Sequence, residues 1–456
     1  MAVAAKASDR PAPASRPPVR ERLRDLPRWV LVALALILLV GFAVRAWAAM
    51  NPVVDPGPDS TAYSRIAEHL FESGEYGTPA QTSPSDWSPG LPLMVAGLYW
   101  VLGEASETAA RLLIAGLGTV MVLFTFLIGR RVSGVAAGLI AAAVVATYPT
   151  YVENNGQFLS EPLAAFLLSG AMLGMLWAAE RRRVVAWVVP GLVFGALTLT
   201  RPEYQAITLA FAALALWRVW RDVGWMRGVA AAGIMVLAAA LVVAPWMVRN
   251  RIVLDKWVPV STGGGKALFV ATYLPGLGRQ VPTKRELMRQ YLGAEDPINT
   301  DELRAQPMQP LLDRVADKYP DLPRDEALGR IGRENLLQYA TEQPIAYARM
   351  SAMKFWNVWG RGSSPYMRDA GLVAYHRILL VAAIVGFIVL AWRSRTRWLA
   401  LLLACPIAAI SVLGTILLAV PRRQVPLIPL IAVLAAVALV WAFGQARERR
   451  RTAAPA

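Results

Sequence analysis

Two aspartates stand four residues apart in a polar stretch that separates two hydrophobic segments. Asp55 and Asp59 lie in this stretch, residues 51–88. A carboxylate next to an apolar phase is costly unless it is solvated, paired or used for chemistry. Asp59 could simply cap the helix expected at residues 60–71, because aspartate is a favoured N-cap residue. A cap needs one acid and this stretch offers two, so we expect a chemical role such as accepting a proton.

Four further charged residues lie at the ends of hydrophobic segments. They are Glu161 in the run LSEP, Arg201 in the run LTRP, and the adjacent pair Arg422 and Arg423. Guanidinium groups can hold the oxygens of a phosphate, and a second acid can assist the first. The simpler alternatives are a helix-start acid for Glu161 and snorkelling at the end of a span for each arginine.

The elements that must position these groups are membrane helices. Of 456 residues, 56% are hydrophobic, and the mean hydropathy of +0.42 is too high for a soluble protein of this length. The net charge of +16 could suggest nucleic acid, but the basic residues cluster at the ends of hydrophobic segments, where they orient a membrane protein. The single cysteine, Cys405, excludes an intramolecular disulfide and a cysteine metal cluster. We therefore predict an all-α polytopic membrane protein that binds no nucleic acid.

The basic residues also predict how the chain crosses the membrane. Arginines before the first hydrophobic segment place the N-terminus in the cytoplasm. Residues 91–102 are too short to cross comfortably and are predicted to lie at the outer interface, which keeps the later basic clusters on the cytoplasmic side. The ten predicted spans are residues 29–48, 109–129, 135–151, 163–179, 184–199, 204–217, 229–246, 372–392, 399–420 and 427–443.

This assignment divides the chain into five parts, with both termini in the cytoplasm. They are a disordered basic tail (1–28), a transmembrane catalytic module (29–249) that contains the first external loop (51–88), an external and partly helical loop region (250–370), the C-terminal transmembrane helices (371–445) and a second basic tail (446–456). The acids and arginines introduced above then share the extracytoplasmic side of the membrane.

A metal site is one further use for this group of acids. Asp55, Asp59 and Glu161 could together hold a hard divalent cation. The arginines on the same side could supply the same charge neutralisation. We therefore do not expect an obligatory metal, and no other cofactor is predicted.

The order of these motifs resembles the multi-span GT-C glycosyltransferases. The resemblance is greatest to the bacterial branch related to protein O-mannosyltransferases and lipid A aminoarabinose transferases. The matching motifs are PDSTAY (58–63), SPGLPL (88–93), LSEPL (159–163), LTRP (199–202), PWMVRN (245–250) and PRRQVP (421–426). Each motif is short, but the set extends across most of the chain and falls on one predicted side.

The resemblance implies a function and a role for three residues. It implies a polyprenyl-phosphate sugar as donor, an active site on the extracytoplasmic side of a bacterial-type inner membrane, and transfer with inversion at the anomeric carbon. By position, Asp59 matches the first-loop aspartate that acts as catalytic base. Glu161 matches the second-loop acid, and Arg201 matches the basic residue that holds the donor phosphate.

Two positions depart from the pattern of this family. Many relatives carry a second acid directly after the first-loop aspartate, where this chain has Ser60, and Asp55 could compensate. Many also carry a basic residue before the interfacial helix, where this chain has Trp87. Arg422 or Arg423 could then supply the missing phosphate contact.

We therefore predict a membrane-bound hexosyl- or pentosyltransferase with an aspartate base, acting on a hydroxyl of a protein, a lipid or a cell-envelope glycan. Its expected site residues are Asp59, Glu161 and Asp55 for catalysis and Arg201, Arg422 and Arg423 for the donor phosphate. The alternatives are a transporter or flippase of lipid-linked sugars and an inactive assembly partner. Charges confined to one end of the bundle would favour transfer, whereas polar groups along its length would favour transport.

Overall fold

The protein is built from helices. The computed structural model describes residues 26–52, 57–78, 85–181, 183–295, 298–299, 302–303, 306–364, 367 and 369–453. Within these ranges there is no β-strand. The all-α class predicted from the sequence is confirmed.

The described helices divide into an N-terminal and a C-terminal set. Those of the N-terminal half are α1 (Arg28–Met50), α2 (Pro58–Ser73), α3 (Gly90–Leu102), α4 (Glu107–Ser133), α5 (Val135–Ala146), α6 (Pro149–Asn154), α7 (Ser160–Glu180), α8 (Val188–Thr200), α9 (Tyr204–Val223) and α10 (Trp225–Leu254). Those of the C-terminal half are α11 (Gly264–Thr272), α12 (Gln280–Leu292), α13 (Met308–Ala316), α14 (Arg324–Glu342), α15 (Pro344–Trp359), α16 (Ala370–Trp392), α17 (Arg397–Ile416) and α18 (Ile428–Ala453). Two 3₁₀ helices, Val184–Trp187 and Pro421–Leu427, lead into α8 and α18.

Seven helical segments in the described ranges are long and apolar enough to cross a membrane. They are α1, α4, α7, α10, α16, α17 and Pro421–Ala446. The shorter apolar α5 and Val184–Thr200, together with α9, lie where the other three spans were predicted. The multi-span prediction is thus confirmed. Helix α3 has 13 residues and is about 20 Å long, less than the roughly 30 Å of a hydrocarbon core, but its interfacial position stays a prediction.

Contacts between turns show which helix ends lie together. Arg131 near the end of α4 places its Nε 3.5 Å from Oε1 of Glu180 at the end of α7. Trp217 in α9 packs against Trp398 at the start of α17, with ring centroids 6.1 Å apart. The basic turns therefore gather at one end of the bundle. Glu161, in the first turn of α7, lies at the opposite end.

Helix α18 forms the centre of the bundle. Every residue from 428 to 438 is buried, and this stretch packs against α16 and α5. A helix that is apolar on all sides is stable only when neighbours surround it. Gly386 of α16 allows the close approach, because a Cβ at this position would overlap the carbonyl oxygen of Leu434 in α18.

A buried arginine joins α1 to the end of α5. The guanidinium of Arg45 donates from Nη1 to the carbonyl of Ala146 and from Nη2 to that of Val145, both at 2.7 Å. It also lies 5.7 Å from the ring centre of Tyr151. The last carbonyls of a helix have no partner within that helix and favour a nearby cation. Arg45 therefore has a structural role.

The chain between α10 and α16 has a hydrophobic core of its own. Phe269 of α11, Leu287 of α12, Leu311 of α13 and Leu328 of α14 pack together in it. The helix expected at residues 325–339 lies inside α14. Residues 250–370 are therefore partly helical, as predicted, while their external location and the five-part division of the chain stay predictions.

Two predicted spans end earlier than the hydropathy pattern suggests. The span predicted at 135–151 breaks after Ala146, and Pro149 begins the separate helix α6, since proline is favoured in the first turn of a helix and breaks a helix interior. The span predicted at 399–420 ends at Ile416 and continues with extended backbone at Leu417. Both breaks lie in apolar sequence, so hydropathy alone could not locate them.

The contact between α16 and α18 yields a test of the packing. We expect Gly386→Ala to lower the free energy of unfolding by about 1–3 kcal/mol, because the added methyl group overpacks the bundle centre. Gly233→Ala is the matched control: no heavy atom lies within 4 Å of its Cβ position, and alanine there gains about 1 kcal/mol of helix propensity. Thermal unfolding in detergent measures both. Equal unfolding temperatures for the two variants would contradict this account.

Candidate active site

Several helix ends meet around a small polar cavity of about 100 Å³. Its lining includes Asp59 from the start of α2, Glu161 from the start of α7, Arg201 and Glu203 between α8 and α9, and Arg422 from the 3₁₀ helix before α18. The cavity therefore lies at the end of the bundle opposite the basic turns. Residues near the two ends of the sequence come side by side there.

Asp59 lies in the first turn of α2 and faces Arg422. The N-cap of α2 is Gly57 and Pro58 is its first residue, so Asp59 is not the N-cap that the sequence allowed. Its carboxylate forms an ion pair with the guanidinium of Arg422, and 28% of its side chain is exposed. A carboxylate in the first turn also interacts favourably with the helix dipole. The second predicted first-loop acid, Asp55, lies outside the described residues.

Ser60 directly follows Asp59, at the position where the predicted resemblance would place a second acid. Its buried hydroxyl accepts a hydrogen bond from the backbone N–H of Phe158 at 2.9 Å. This bond ties the start of α2 to the loop that leads into α7. Ser60 therefore positions Asp59 relative to Glu161.

Arg201 is the cation at the centre of the site. Its Nη1 lies 2.9 Å from Oε1 of Glu161 and its Nε lies 2.9 Å from Oε1 of Glu203. Nη1 also donates to the hydroxyl of Ser160 at 3.3 Å. Burial alone would lower the pKa of Arg201, but Glu203 and then Glu161 outweigh burial and raise this pKa above its ordinary value. The guanidinium therefore stays charged.

The two partners of Arg201 are nearly inaccessible to solvent. Side-chain exposure is 2% for Glu161 and 11% for Glu203. Burial would raise the pKa of Glu203, but the guanidinium groups of Arg201 and Arg423 lower it to about 2. Glu203 therefore stays ionised. Buried carboxylates are tolerated only with such partners.

Arg422 connects the two acids. Besides its ion pair with Asp59, its Nε lies 3.3 Å from Oε1 of Glu161. Arg423 lies behind the cavity, and its buried Nη1 has no hydrogen-bond partner among the described residues. The structure thus brings together Asp59, Glu161, Arg201 and Arg422, with Arg423 near Glu203. The catalytic and phosphate-binding roles of these residues stay predictions.

The wall beside Asp59 is polar and uncharged. Tyr63 and Ser88 line the cavity, and the ring of Tyr63 packs edge-on against Trp87 with centroids 5.1 Å apart. Burial raises the pKa of Tyr63 to about 12, so its hydroxyl is a neutral group. Gly90 brings α3 against this wall, since a Cβ there would lie 2.9 Å from the backbone nitrogen of Thr200.

The described residues provide no ready metal site. Among them, no group of three or more His, Cys, Asp or Glu side chains could hold a metal ion. Asp59 and Glu161 are both paired with arginine. The predicted three-acid cluster also needs Asp55, which the structure does not describe.

Glu203 is the site residue that sequence reasoning did not select. It follows Arg201 by two residues at the end of the same apolar segment. An acid and a base so close together at a span end indicate a pair, and this signal could have been used. The arrangement as a whole offers one partly exposed carboxylate, two buried carboxylates and several guanidinium groups around one cavity.

A family model described as dolichyl-phosphate-mannose-protein mannosyltransferase matches residues 86–248. The match covers less than half of the chain. It includes Glu161, Arg201 and Glu203 but neither Asp59 nor Arg422. No curated protein matches the sequence.

Solved structures of an oligosaccharyltransferase from Archaeoglobus fulgidus share the fold. The apo form gives a TM-score of 0.58 at 17% identity, over 93% of this chain and 52% of that chain. The complex of AglB from the same organism with an inhibitory peptide and a dolichol-phosphate gives a TM-score of 0.55 at 16% identity, over 94% and 52%. This chain therefore spans about half the length of the oligosaccharyltransferase.

A third solved structure is less similar. ArnT from Cupriavidus metallidurans bound to undecaprenyl phosphate gives a TM-score of 0.41 at 17% identity, over 90% of this chain and 77% of that chain. The family model and the fold shared with the oligosaccharyltransferase confirm the predicted resemblance to the GT-C glycosyltransferases.

The central position of Arg201 yields a stability prediction. We expect Arg201→Met to lower the free energy of unfolding by about 3–5 kcal/mol, because it removes a charge partner from two buried carboxylates. The free energy of unfolding of Arg201→Lys should lie between those of this variant and the wild type. Lysine keeps the positive charge but lacks the planar guanidinium that contacts both carboxylates. Thermal unfolding of the purified protein in detergent is the measurement.

The matched control is Arg251→Met near the end of α10. The partner of Arg251 is the largely exposed Asp255, and such surface pairs contribute little to stability. Our interpretation of Arg201 fails if the two methionine variants unfold at the same temperature.

Proposed function

We propose that this chain, which has the fold of the GT-C glycosyltransferases, transfers a sugar from a polyprenyl-phosphate donor to an acceptor hydroxyl. One observation carries the proposal. Asp59 and Arg422 lie side by side at a cavity that also holds the buried pair of Glu161 and Arg201. Such a site has a base for the acceptor proton and cations for the leaving phosphate, the two functions that the reaction needs.

In the proposed reaction, the carboxylate of Asp59 accepts the proton of the acceptor hydroxyl. The oxygen attacks the anomeric carbon from the side opposite the phosphate. The bond between that carbon and the phosphate oxygen breaks, and its electron pair remains on the departing lipid phosphate. Attack from the opposite side inverts the configuration at the anomeric carbon.

The arginines have distinct proposed roles. Arg422, whose side chain is 41% exposed, and Arg201 stabilise the negative charge on the departing phosphate through charge-assisted hydrogen bonds. Arg423 stabilises the charge of Glu203 and adds to the positive potential at the site. Glu161, which contacts both Arg201 and Arg422, orients these guanidinium groups. Asp55 stays a proposed helper of Asp59 on the basis of sequence alone.

The proposed donor class is supported by the similar proteins. The archaeal oligosaccharyltransferase was solved with a dolichol-phosphate, and the description of the matching family model names a dolichyl-phosphate sugar. The site also lies among apolar helix ends, where a lipid-linked donor would present its head group. The proposed transferred group is a hexosyl or pentosyl sugar, and the proposed acceptor is a hydroxyl of a protein, a lipid or a glycan.

The proposed side of the membrane follows from charge. The basic turns lie at the end of the bundle opposite the cavity, and basic turns favour the cytoplasm. We therefore place the site on the extracytoplasmic side of a bacterial-type inner membrane, with both termini in the cytoplasm.

The distribution of buried charge supports transfer over transport. Glu161 and Arg45, both buried, lie in the turns of α7 and α1 nearest the site end. A buried polar residue nearer the middle of a span, Thr125 of α4, donates its hydroxyl to the carbonyl of Met121 in its own helix. A transport path would instead place polar groups along the bundle.

The proposed base can be tested by removing its charge. We expect Asp59→Asn to reduce sugar transfer at least about a hundredfold, the lower range for loss of a general base, while the protein stays in the membrane. The gene is deleted in the source organism and replaced by each variant. Mass spectrometry of lipid-linked sugars and envelope glycans reports transfer, and immunoblotting of membranes reports protein level.

Glu72→Gln is the matched control, because Glu72 is an exposed acid on the same helix α2. It should retain wild-type transfer. Full activity of Asp59→Asn would refute the assignment of the base.

A further inference from the structure

A second and larger cavity adjoins the candidate active site. Its volume is about 810 Å³, and we call it the basic chamber. It lies between the start of α12, the segment after α15, the first turns of α16 and residues 418–422. Four arginines line it besides Arg422: Arg279, Arg285, Arg361 and Arg377.

The basic chamber gathers positive charge without acids. None of the described residues that line it is an aspartate or a glutamate. Burial lowers the pKa of Arg279, and the neighbouring Arg361 lowers it further, as expected for like charges held close together. Within the described ranges, the side chains of Arg279, Arg285 and Arg361 form no ion pair or hydrogen bond. Several cations around one cavity create a field that concentrates anions.

One arginine of the chamber is already held in a fixed orientation. Arg377 donates from Nε and Nη2 to the carbonyl of Gly360, at 3.1 and 2.9 Å. Its guanidinium also lies 5.1 Å from the ring centre of Trp356. A fixed cation costs little further entropy when it binds an anion. The chamber is therefore partly organised in advance.

Part of the chamber wall is apolar, and the polar side chains of Gln280, Asn357, Ser363 and Ser364 also line it. Val281 of α12, Val373 of α16 and the segment from Leu418 to Val420 contribute to the apolar part. Helix α16 is also one of the candidate membrane spans, so the chamber adjoins the apolar surface of the bundle. A ligand that pairs with the arginines and also packs against the apolar residues has an anionic head group and a hydrocarbon chain. A lipid phosphate has this chemistry, whereas a free phosphate satisfies only the arginines.

Arg422 belongs to both cavities. It lines the basic chamber and the candidate active site, and it is paired there with Asp59 and Glu161. An anion in the chamber would compete with Asp59 for this guanidinium. As long as Arg422 stays on Asp59, the carboxylate that is proposed as base is occupied.

We propose that the basic chamber binds the phosphate of a lipid through Arg279, Arg285 and Arg361, and that the bound phosphate draws Arg422 away from Asp59. Asp59 then becomes available as a base only when a lipid phosphate is present. The lipid-phosphate site is inferred from the residues that line the basic chamber. The link to the base rests on the proposed function.

The site is tested by direct binding to the purified full chain in detergent. The probes are farnesyl phosphate, farnesol and inorganic phosphate, and the measurement is the dissociation constant by microscale thermophoresis. We expect farnesyl phosphate to bind at least about tenfold tighter than either of the others, because only it engages both the arginines and the apolar residues. Equal binding of farnesol would show that the arginines do not contribute. Equal binding of inorganic phosphate would show that the ligand is not a lipid.

Charge removal identifies the residues. The triple variant Arg279→Gln, Arg285→Gln, Arg361→Gln should bind farnesyl phosphate at least about tenfold more weakly than the wild type. The control Arg289→Gln lies one turn beyond Arg285 on α12, where Arg289 pairs with Glu286 at 3.1 Å, and should stay within about twofold. The single variant Arg361→Gln, which changes only one exposed residue, repeats the test if the triple variant unfolds. Unchanged affinity in these variants would overturn the site.

The link through Arg422 is tested by a double-mutant cycle. Asp59→Asn should tighten farnesyl phosphate binding about threefold or more, because Arg422 is released from its competitor. In an Arg422→Gln background the same change should have no effect. An unaltered affinity of Asp59→Asn would overturn the link.

Binding and transfer distinguish this inference from the proposed function. If the wild type binds farnesyl phosphate as described but transfers no sugar, the chamber is supported and the proposed function fails. If sugar transfer occurs and the triple variant binds farnesyl phosphate like the wild type, the proposed function is supported and the lipid-phosphate site in the basic chamber fails.

Discussion

The buried contact of Arg201 with Glu161 and Glu203 is the interaction on which the site depends. Two carboxylates inside a protein would be expelled or protonated if their charge were not matched. The planar guanidinium of Arg201 pairs with both carboxylates. Its Nη1 lies 2.9 Å from Oε1 of Glu161, and its Nε lies 2.9 Å from Oε1 of Glu203. Because Glu161 starts α7 and Arg201 follows α8, the same contact fixes the ends of two helices. Arg422 then extends this ion-pair network to Asp59 on α2, the most exposed of the three acids that line the cavity.

The sequence was informative about the fold for a simple physical reason. Membrane helices must be long and apolar, and arginine is costly inside the bilayer, so spans and their ends are visible in the composition. The positions of Asp59, Glu161 and Arg201 at the same end of the bundle follow from that pattern. The break after Ala146 and the end of α17 at Ile416 were missed, because they depend on backbone conformation within sequence that is apolar on both sides.

The pairing of side chains was much less predictable than their location. Glu203 was not selected, although it is the second partner of Arg201. The arginines of the basic chamber were also missed, since Arg279, Arg285 and Arg361 lie in a polar region with mixed charge and no motif. Their convergence depends on how the helices between α10 and α16 fold against the membrane bundle. Distant residues of this kind come together only through tertiary packing.

The central place of α18 determines when the membrane bundle is completed during synthesis. This helix is surrounded by α16 and α5, and Arg422 immediately precedes it in the last part of the chain. A nascent chain that has inserted only its first helices holds Asp59 and Glu161 without Arg422, beside a groove that nothing yet fills. The membrane bundle and the ion-pair network are therefore completed by the same late insertion event. A chain that stops before Pro421 lacks Arg422 and leaves the faces of α5 and α16 that pack against α18 uncovered.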